Sequence, residues 1–122
     1  MAKKKIDTAS TRMNLNNVNM NAIKTAPNGV INHLTIFSFS QSGKLVSAVY
    51  SGGPIAKGHL VGTMAGSKLS FSFCQIDIND SHNNGRSECD ISFSTEGKLR
   101  LTEHFRWDSG DQEPGVNILQ EL

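Results

Sequence analysis

Residues 98–107 read KLRLTEHFRW, and how they are spaced decides the fold. Taken two by two, Leu99, Leu101, Glu103, Phe105 and Trp107 fall on one face, and Arg100, Thr102, His104 and Arg106 on the other. That alternation is the period of a half-buried strand, and a helical period of 3.6 would mix the two sets. The apolar face goes inward and takes one carboxylate with it. Burying Glu103 on an apolar face costs several kcal/mol (roughly 2–7 even for a neutral polar group) unless it is paired or neutralised. The same ten residues therefore predict a strand and single out a candidate functional side chain.

Working outward, no window of the chain carries an i, i+3, i+4, i+7 apolar stripe, and Gly, Ser and Asn recur throughout. Period-two segments occur instead, over 13–23, 31–41, 44–51, 57–65, 68–79, 85–94, 98–107 and 115–121. Ser42-Gly43, Gly66-Ser67 and Glu96-Gly97 make short links with a glycine suited to a tight hairpin. Longer links run over 24–30, 52–56, 80–84 and 108–114, so short and long alternate and gather at opposite ends of an up-and-down meander. Closing such a meander hides every strand edge. The predicted fold is all-β: a single-domain, eight-stranded antiparallel up-and-down barrel over 13–122, of calycin-like outline. Residues 1–12 (MAKKKIDTASTR) read as a disordered basic N-terminal tail.

The bulk composition narrows the classes. A chain of 122 residues buries roughly two-thirds of its extended surface in one domain. Twelve Lys and Arg against eleven Asp and Glu leave a formal charge of +1, which offers no global field to nucleic acid or an anionic membrane. The run Lys3-Lys4-Lys5 is followed by no apolar stretch of signal or membrane-spanning length. Two cysteines, Cys74 and Cys89, outside any CxxC or Cys/His cluster, are expected to be reduced thiols in a cytoplasmic protein.

Alternation also assigns faces. In 68–79 the inward set is Leu69, Phe71, Phe73, Gln75 and Asp77; in 85–94 it is Cys89, Ile91 and Phe93; in 44–51 it is Val46, Ala48 and Tyr50, with Leu45 and Val49 competing for the same face. Pairing Phe71 with Phe93 would set Cys89 opposite Gln75 and leave Cys74 outside, so no disulfide is expected. For 57–65 the sets His59, Val61, Thr63 and Leu60, Gly62, Met64 are nearly balanced. Val46, Leu69, Phe71, Phe93, Leu99 and Leu101 then form an apolar plug at the tight-turn end. Tyr50, His59, Gln75, Cys89 and Glu103 form a polar ring towards the other end, with Trp107 at its mouth.

Each member of that ring has a structural reading beside a functional one. Glu103 is a ligand anchor, an acid/base with a raised pKa, or a carboxylate held by Tyr50, Gln75 or an arginine. His59 is a proton shuttle or a hydrogen-bonded strand-end histidine. Tyr50 donates into the lumen or closes a barrel end, and Trp107 stacks on a ligand or lids the core. Cys89 has no helix N-terminus or evident base beside it to activate it. No second histidine stands at metal-ligand spacing from His59, so neither a metal nor another cofactor is expected. The aromatics point inward, away from the exposed basic and aromatic face that nucleic-acid binding requires.

The segments YSGGPIAKGHLVG (50–62), CQIDIN (74–79), KLRLTEHFRW (98–107) and SGD (109–111), with the ending NILQEL, resemble a group of small bacterial proteins commonly labelled "n-acetylglutamate synthase" in genomes. The resemblance runs from about residue 30 to 122, and this chain departs from it in a longer N-terminal tail and a shorter link around Thr95–Gly97. Acetyl-CoA-dependent N-acetyltransferases resemble an α/β fold whose Gln/Arg-x-x-Gly-x-Gly/Ala turn holds pyrophosphate at a helix start. Here SGGPIAKG leads into a strand instead, so acetyl transfer is not expected. In outline the chain also resembles lipocalin and avidin-like barrels, without the Gly-x-Trp of a lipocalin first strand.

Three functions follow. The first is non-catalytic binding of a small molecule by Tyr50, His59, Gln75, Glu103 and Trp107 at the long-loop end. The second is a structural barrel with a filled lumen that associates with further copies of itself. The third is an enzyme using Glu103 as acid/base with His59 or Tyr50. Lumen volume separates the first two: a cavity under the size of a few waters, with Glu103 fully hydrogen-bonded, would rule out the binding function.

Overall fold

The computed structural model describes residues 13–108 and 113–122. Among them every regular element is a strand: β1 (Asn19–Lys24), β2 (Ile36–Ser42), β3 (Leu45–Gly52), β4 (Ile55–Ala65), β5 (Lys68–Asp77), β6 (His82–Phe93), β7 (Leu99–Trp107) and β8 (Gly115–Glu121). Each pairs antiparallel with its neighbour in sequence, and β1 pairs with β8 to close the barrel. The predicted meander barrel is the observed fold. The expected tail, residues 1–12, lies outside the described residues.

Several boundaries differ from the sequence reading. The first strand is confined to Asn19–Lys24, and residues 13–18 fold under the tight-turn end. There Leu15 is fully buried, its N–H donates to Gln41 Oε1 at 2.9 Å, and the Asn17 N–H donates to the Phe39 carbonyl at 3.0 Å. The second strand begins at Ile36, leaving residues 25–35 as the connection at the opposite end. The expected long link at 52–56 is only the turn Gly53-Pro54. Gly52 (φ 114°) and Gly53 (φ 58°) supply its left-handed backbone, and β4 carries an extra residue just after the turn, between Ile55 and Gly58, against both of its neighbours.

The β5–β6 register also differs. Phe71 lies opposite Ser87, not Phe93, and Cys89 lies opposite Leu69 on β5 and Glu103 on β7, not opposite Gln75. The reason is the width of the lumen. In a direct cross-strand pair both residues point to the same face, and eight strands enclose only a narrow interior. Tyr50 pairs with Gly58, Phe71 with Gly62, Phe73 with Gly85 and Phe105 with Gly115. A Cβ on any of these four glycines would come within 2.7 Å of its aromatic partner. At these four pairs large is set against small, as befits a small barrel; Phe37 opposite Tyr50, their rings stacked at 4.3 Å, is an exception.

The same pattern orients β4. Gly58, Leu60, Gly62 and Met64 line the interior, and His59, Val61 and Thr63 face solvent. Leu69, Leu101, Leu119, Met20 and Val46 are almost completely buried at the tight-turn end and form its apolar floor. Cys89 is buried and Cys74 exposed, on opposite faces of the wall.

Candidate functional site

The polar groups of the interior collect in its other half. Tyr50 comes from the end of β3, Gln75 from β5, Glu103 from the middle of β7 and Asn117 from β8, and all four are buried. Their burial follows from alternation, because each shares its strand face with core residues such as Ala48, Phe73, Leu101 and Leu119. Tyr50 stacks on Phe37 with ring centroids 4.3 Å apart, and its hydroxyl donates to Gln75 Oε1 at 2.7 Å. Trp107 stands edge-on to both Phe73 and Phe105, at 5.5 Å from each.

Glu103 is held from two sides. The Ser87 hydroxyl donates to Oε2 at 2.6 Å, and the Asn117 amide donates to Oε1 at 3.1 Å. Burial pushes its carboxyl above the ordinary carboxylate range; these two hydrogen bonds and the charge of nearby His104 pull it only partly back. Burial, and next the charge of Glu103, likewise pushes the Tyr50 hydroxyl upward, so Tyr50 acts as a neutral donor and not as a base. Burial does the same to Cys89, again with Glu103 as the next cause, and holds it as an inert thiol.

Asn117 links this network to the connection above it. Its Oδ1 accepts the Ala26 backbone N–H at 3.0 Å, which fixes the orientation of the amide and aims its NH2 at Glu103. Gly29, Val30 and Ile31 of the same connection close the barrel end, with the Gly29 N–H donating to the Ala26 carbonyl at 3.0 Å. Beneath them remains a cavity of about 30 Å³, lined among others by Tyr50, Gln75, Glu103, Trp107 and Asn117. That is space for one or two waters. The indole Nε1–H of Trp107 is buried and has no hydrogen-bond partner among the described residues.

Of the residues singled out from the sequence, Tyr50, Gln75, Glu103 and Trp107 thus line one cavity. His59 does not: it projects from the outer wall opposite Cys74, because the inward positions of β4 are taken by the glycines beneath Tyr50 and Phe71. The acid/base pairing of Glu103 with His59 is therefore not assembled. Asn117 and Ser87 were not singled out. Ser87 shares the parity of Cys89 and Ile91, so its facing was readable. Asn117 was hidden because the more apolar side of β8, Val116 and Ile118, is the one that faces outward. Among the described residues no three His, Cys, Asp or Glu side chains are grouped to hold a metal ion.

A closed eight-stranded meander with its polar groups gathered under one capped end defines a calycin-type barrel. Within that class, the chain belongs to the avidin-like protein family, whose family model matches residues 13–122. No curated protein and no solved structure matches the chain.

Proposed function

We propose that this chain is a non-catalytic barrel that binds a small, uncharged molecule at its capped end, with residues 25–35 as a cover that gives way to the ligand. One observation carries the reading. The polar floor is tied through Asn117 to the backbone of the cover, while the Trp107 N–H beside it has no acceptor among the described residues. A buried donor without a partner costs about 1–3 kcal/mol, which a ligand acceptor recovers. Glu103 retains lone pairs for a ligand N–H beyond those taken by Ser87 and Asn117. A cavity of about 30 Å³ is too small for an organic ligand, so the ligand takes the place of the Gly29–Ile31 segment.

The volume itself favours a second reading, a barrel whose lumen is filled by its own side chains and whose role is structural. Native mass spectrometry of protein purified from cells separates the two. The binding reading expects a retained small molecule that is released on denaturation and held less well by Trp107→Phe, which keeps the ring packing and removes the N–H. A chain that carries nothing, and whose Trp107 emission and melting temperature respond to no compound in a broad small-molecule set, supports the filled barrel.

A further inference from the structure

Two asparagines of the chain are followed by glycine: Asn28, in the connection between β1 and β2, and Asn84, in β6. In such a pair the glycine nitrogen can attack the side-chain carbonyl carbon of the asparagine, and glycine hinders the attack least because no side chain shields its nitrogen. Both asparagines are exposed, but the fold holds them differently. Asn84 lies in a strand paired on both sides, opposite Cys74 on β5, and its carbonyl accepts the Asp108 N–H at 3.0 Å. Gly85 beside it is paired with Phe73 and Trp107, and a Cβ there would stand 2.2 Å from the Arg106 carbonyl oxygen. Ring closure turns the peptide plane between the two residues, which here would break the ladder to both neighbours. Asn28 instead lies in the turn Ala26-Pro27-Asn28-Gly29, closed by the Gly29 N–H donating to the Ala26 carbonyl at 3.0 Å. Its side-chain amide donates to the Glu113 carbonyl, and its Oδ1 lies over Gly115, 2.8 Å from where a Cβ would stand. One local opening of this exposed turn frees both the Gly29 nitrogen and the Asn28 amide.

We propose that Asn28 is a site of spontaneous deamidation that unfastens the capped end of the barrel. The Gly29 nitrogen gives up its proton and bonds to Cγ of Asn28. The Cγ–Nδ2 bond breaks, the amide leaves as ammonia, and a five-membered succinimide remains. Water then opens the ring at one of its two carbonyls. Opening at Cγ gives aspartate; opening at the main-chain carbonyl gives isoaspartate, whose backbone runs through Cγ and is one carbon longer. The sum is water taken up and ammonia released, with no oxidant or further reactant. Either product puts a carboxylate where the amide stood. A carboxylate cannot donate to the Glu113 carbonyl, so the tie between the connection and the chain leading into β8 is lost, and two acceptor oxygens face each other. The added carbon of isoaspartate also displaces Gly29 from Ala26 and opens the turn. The Ala26 bond to Asn117 is then left to hold the cover. The reaction proceeds whether or not the barrel binds a ligand, and it makes the closure of this end depend on the age of the protein.

The test is to hold the full chain for weeks in mildly alkaline buffer, native and in guanidinium chloride, and to follow its tryptic peptides by mass spectrometry. Cleavage after Lys24, Lys44, Lys68 and Arg86 places Asn28 in residues 25–44 and Asn84 in residues 69–86, and fragmentation locates the converted asparagine. In the native chain Asn28 is expected to convert at least roughly tenfold faster than Asn84, and in denaturant at a comparable rate, because only the fold separates them. Conversion takes the formal charge from +1 to 0, so ion exchange isolates the product. In that product the Ala26 and Gly29 amides are expected to exchange with solvent faster than in fresh protein, with the Leu101 and Leu119 amides unchanged. Native Asn28 reacting no faster than Asn84 overturns the proposal, as does a difference that persists in denaturant. Converted protein whose Ala26 and Gly29 amides exchange as in fresh protein overturns it equally.

Discussion

The ring of Tyr50 lies across the backbone of Gly58, its direct partner on β4, so closely that a methyl group there would stand 2.3 Å from two of its ring carbons. This contact explains both halves of YSGGPIAKGHLVG. The first glycines and the proline turn the chain, and the later glycine makes room for the tyrosine that ends the preceding strand. The space left by the missing side chain is what lets the Tyr50 hydroxyl reach Gln75 inside the barrel.

Gly58→Ala therefore forces the ring out of place. Overpacking of this kind costs about 1–3 kcal/mol, to be read from urea denaturation. Gly43→Ala serves as a contrast. Nothing lies within 4 Å of a Cβ there, and only its φ of +60° resists substitution, at roughly 1 kcal/mol. Equal losses in the two variants would mean that Tyr50 does not depend on Gly58 for its position.

Glu103 makes stability depend on pH in a definite direction. Its folded pKa is raised, so the folded chain holds the proton more tightly than the unfolded chain does. The resulting stabilisation is complete below the unfolded carboxyl pKa, about 4.3, and is lost as pH rises through the folded value. In Glu103→Gln the amide carbonyl accepts from Asn117 and the NH2 donates to the Ser87 hydroxyl, with no charge to bury. The variant is expected to be more stable than the wild type at pH 7 by about 1–2 kcal/mol. The difference should shrink towards pH 4, as measured by paired denaturation curves. A variant less stable at both pH values would show that the carboxylate is compensated in the fold.

The two cysteines give a count. Cys74 is exposed on the outer wall, and Cys89 is buried with its thiol pKa pushed up. A thiol reagent should modify one cysteine per chain in the native protein and two in denaturant, with Cys74 as the native site. Modification of Cys89 under native conditions would contradict the lumen described above.

Much of this was legible in KLRLTEHFRW and its counterparts. Alternation alone turned Leu99, Leu101, Glu103 and Phe105 inward, and set Gln75 and Tyr50 on lumen-facing positions. Where the inward residue was not hydrophobic, the signal failed. On β4 the interior positions are Gly58 and Gly62, which carry no hydropathy to weigh against Val61, and so His59 was drawn into a ring it does not join. On β8 the more apolar side faces outward and Asn117 inward, the reverse of a binary pattern. Matching Phe71 to Phe93 treated pairing as a matter of like with like, although this narrow barrel sets Tyr50, Phe71, Phe73 and Phe105 each against a glycine. Two glycines four residues apart on one strand, Gly58 and Gly62, opposite aromatics, are the sequence mark of that packing.

The proposed function requires that residues 25–35 leave the polar floor while the barrel stays folded. Native-state hydrogen exchange tests it at the Ala26 amide, bonded to Asn117, and the Gly29 amide, bonded to Ala26. Exchange by local opening is expected, at a free energy well below that of the amides of Leu101 and Leu119, and faster still in Asn117→Ala. If the Ala26 and Gly29 amides exchange only with global unfolding, the end does not open, and the barrel is filled and closed.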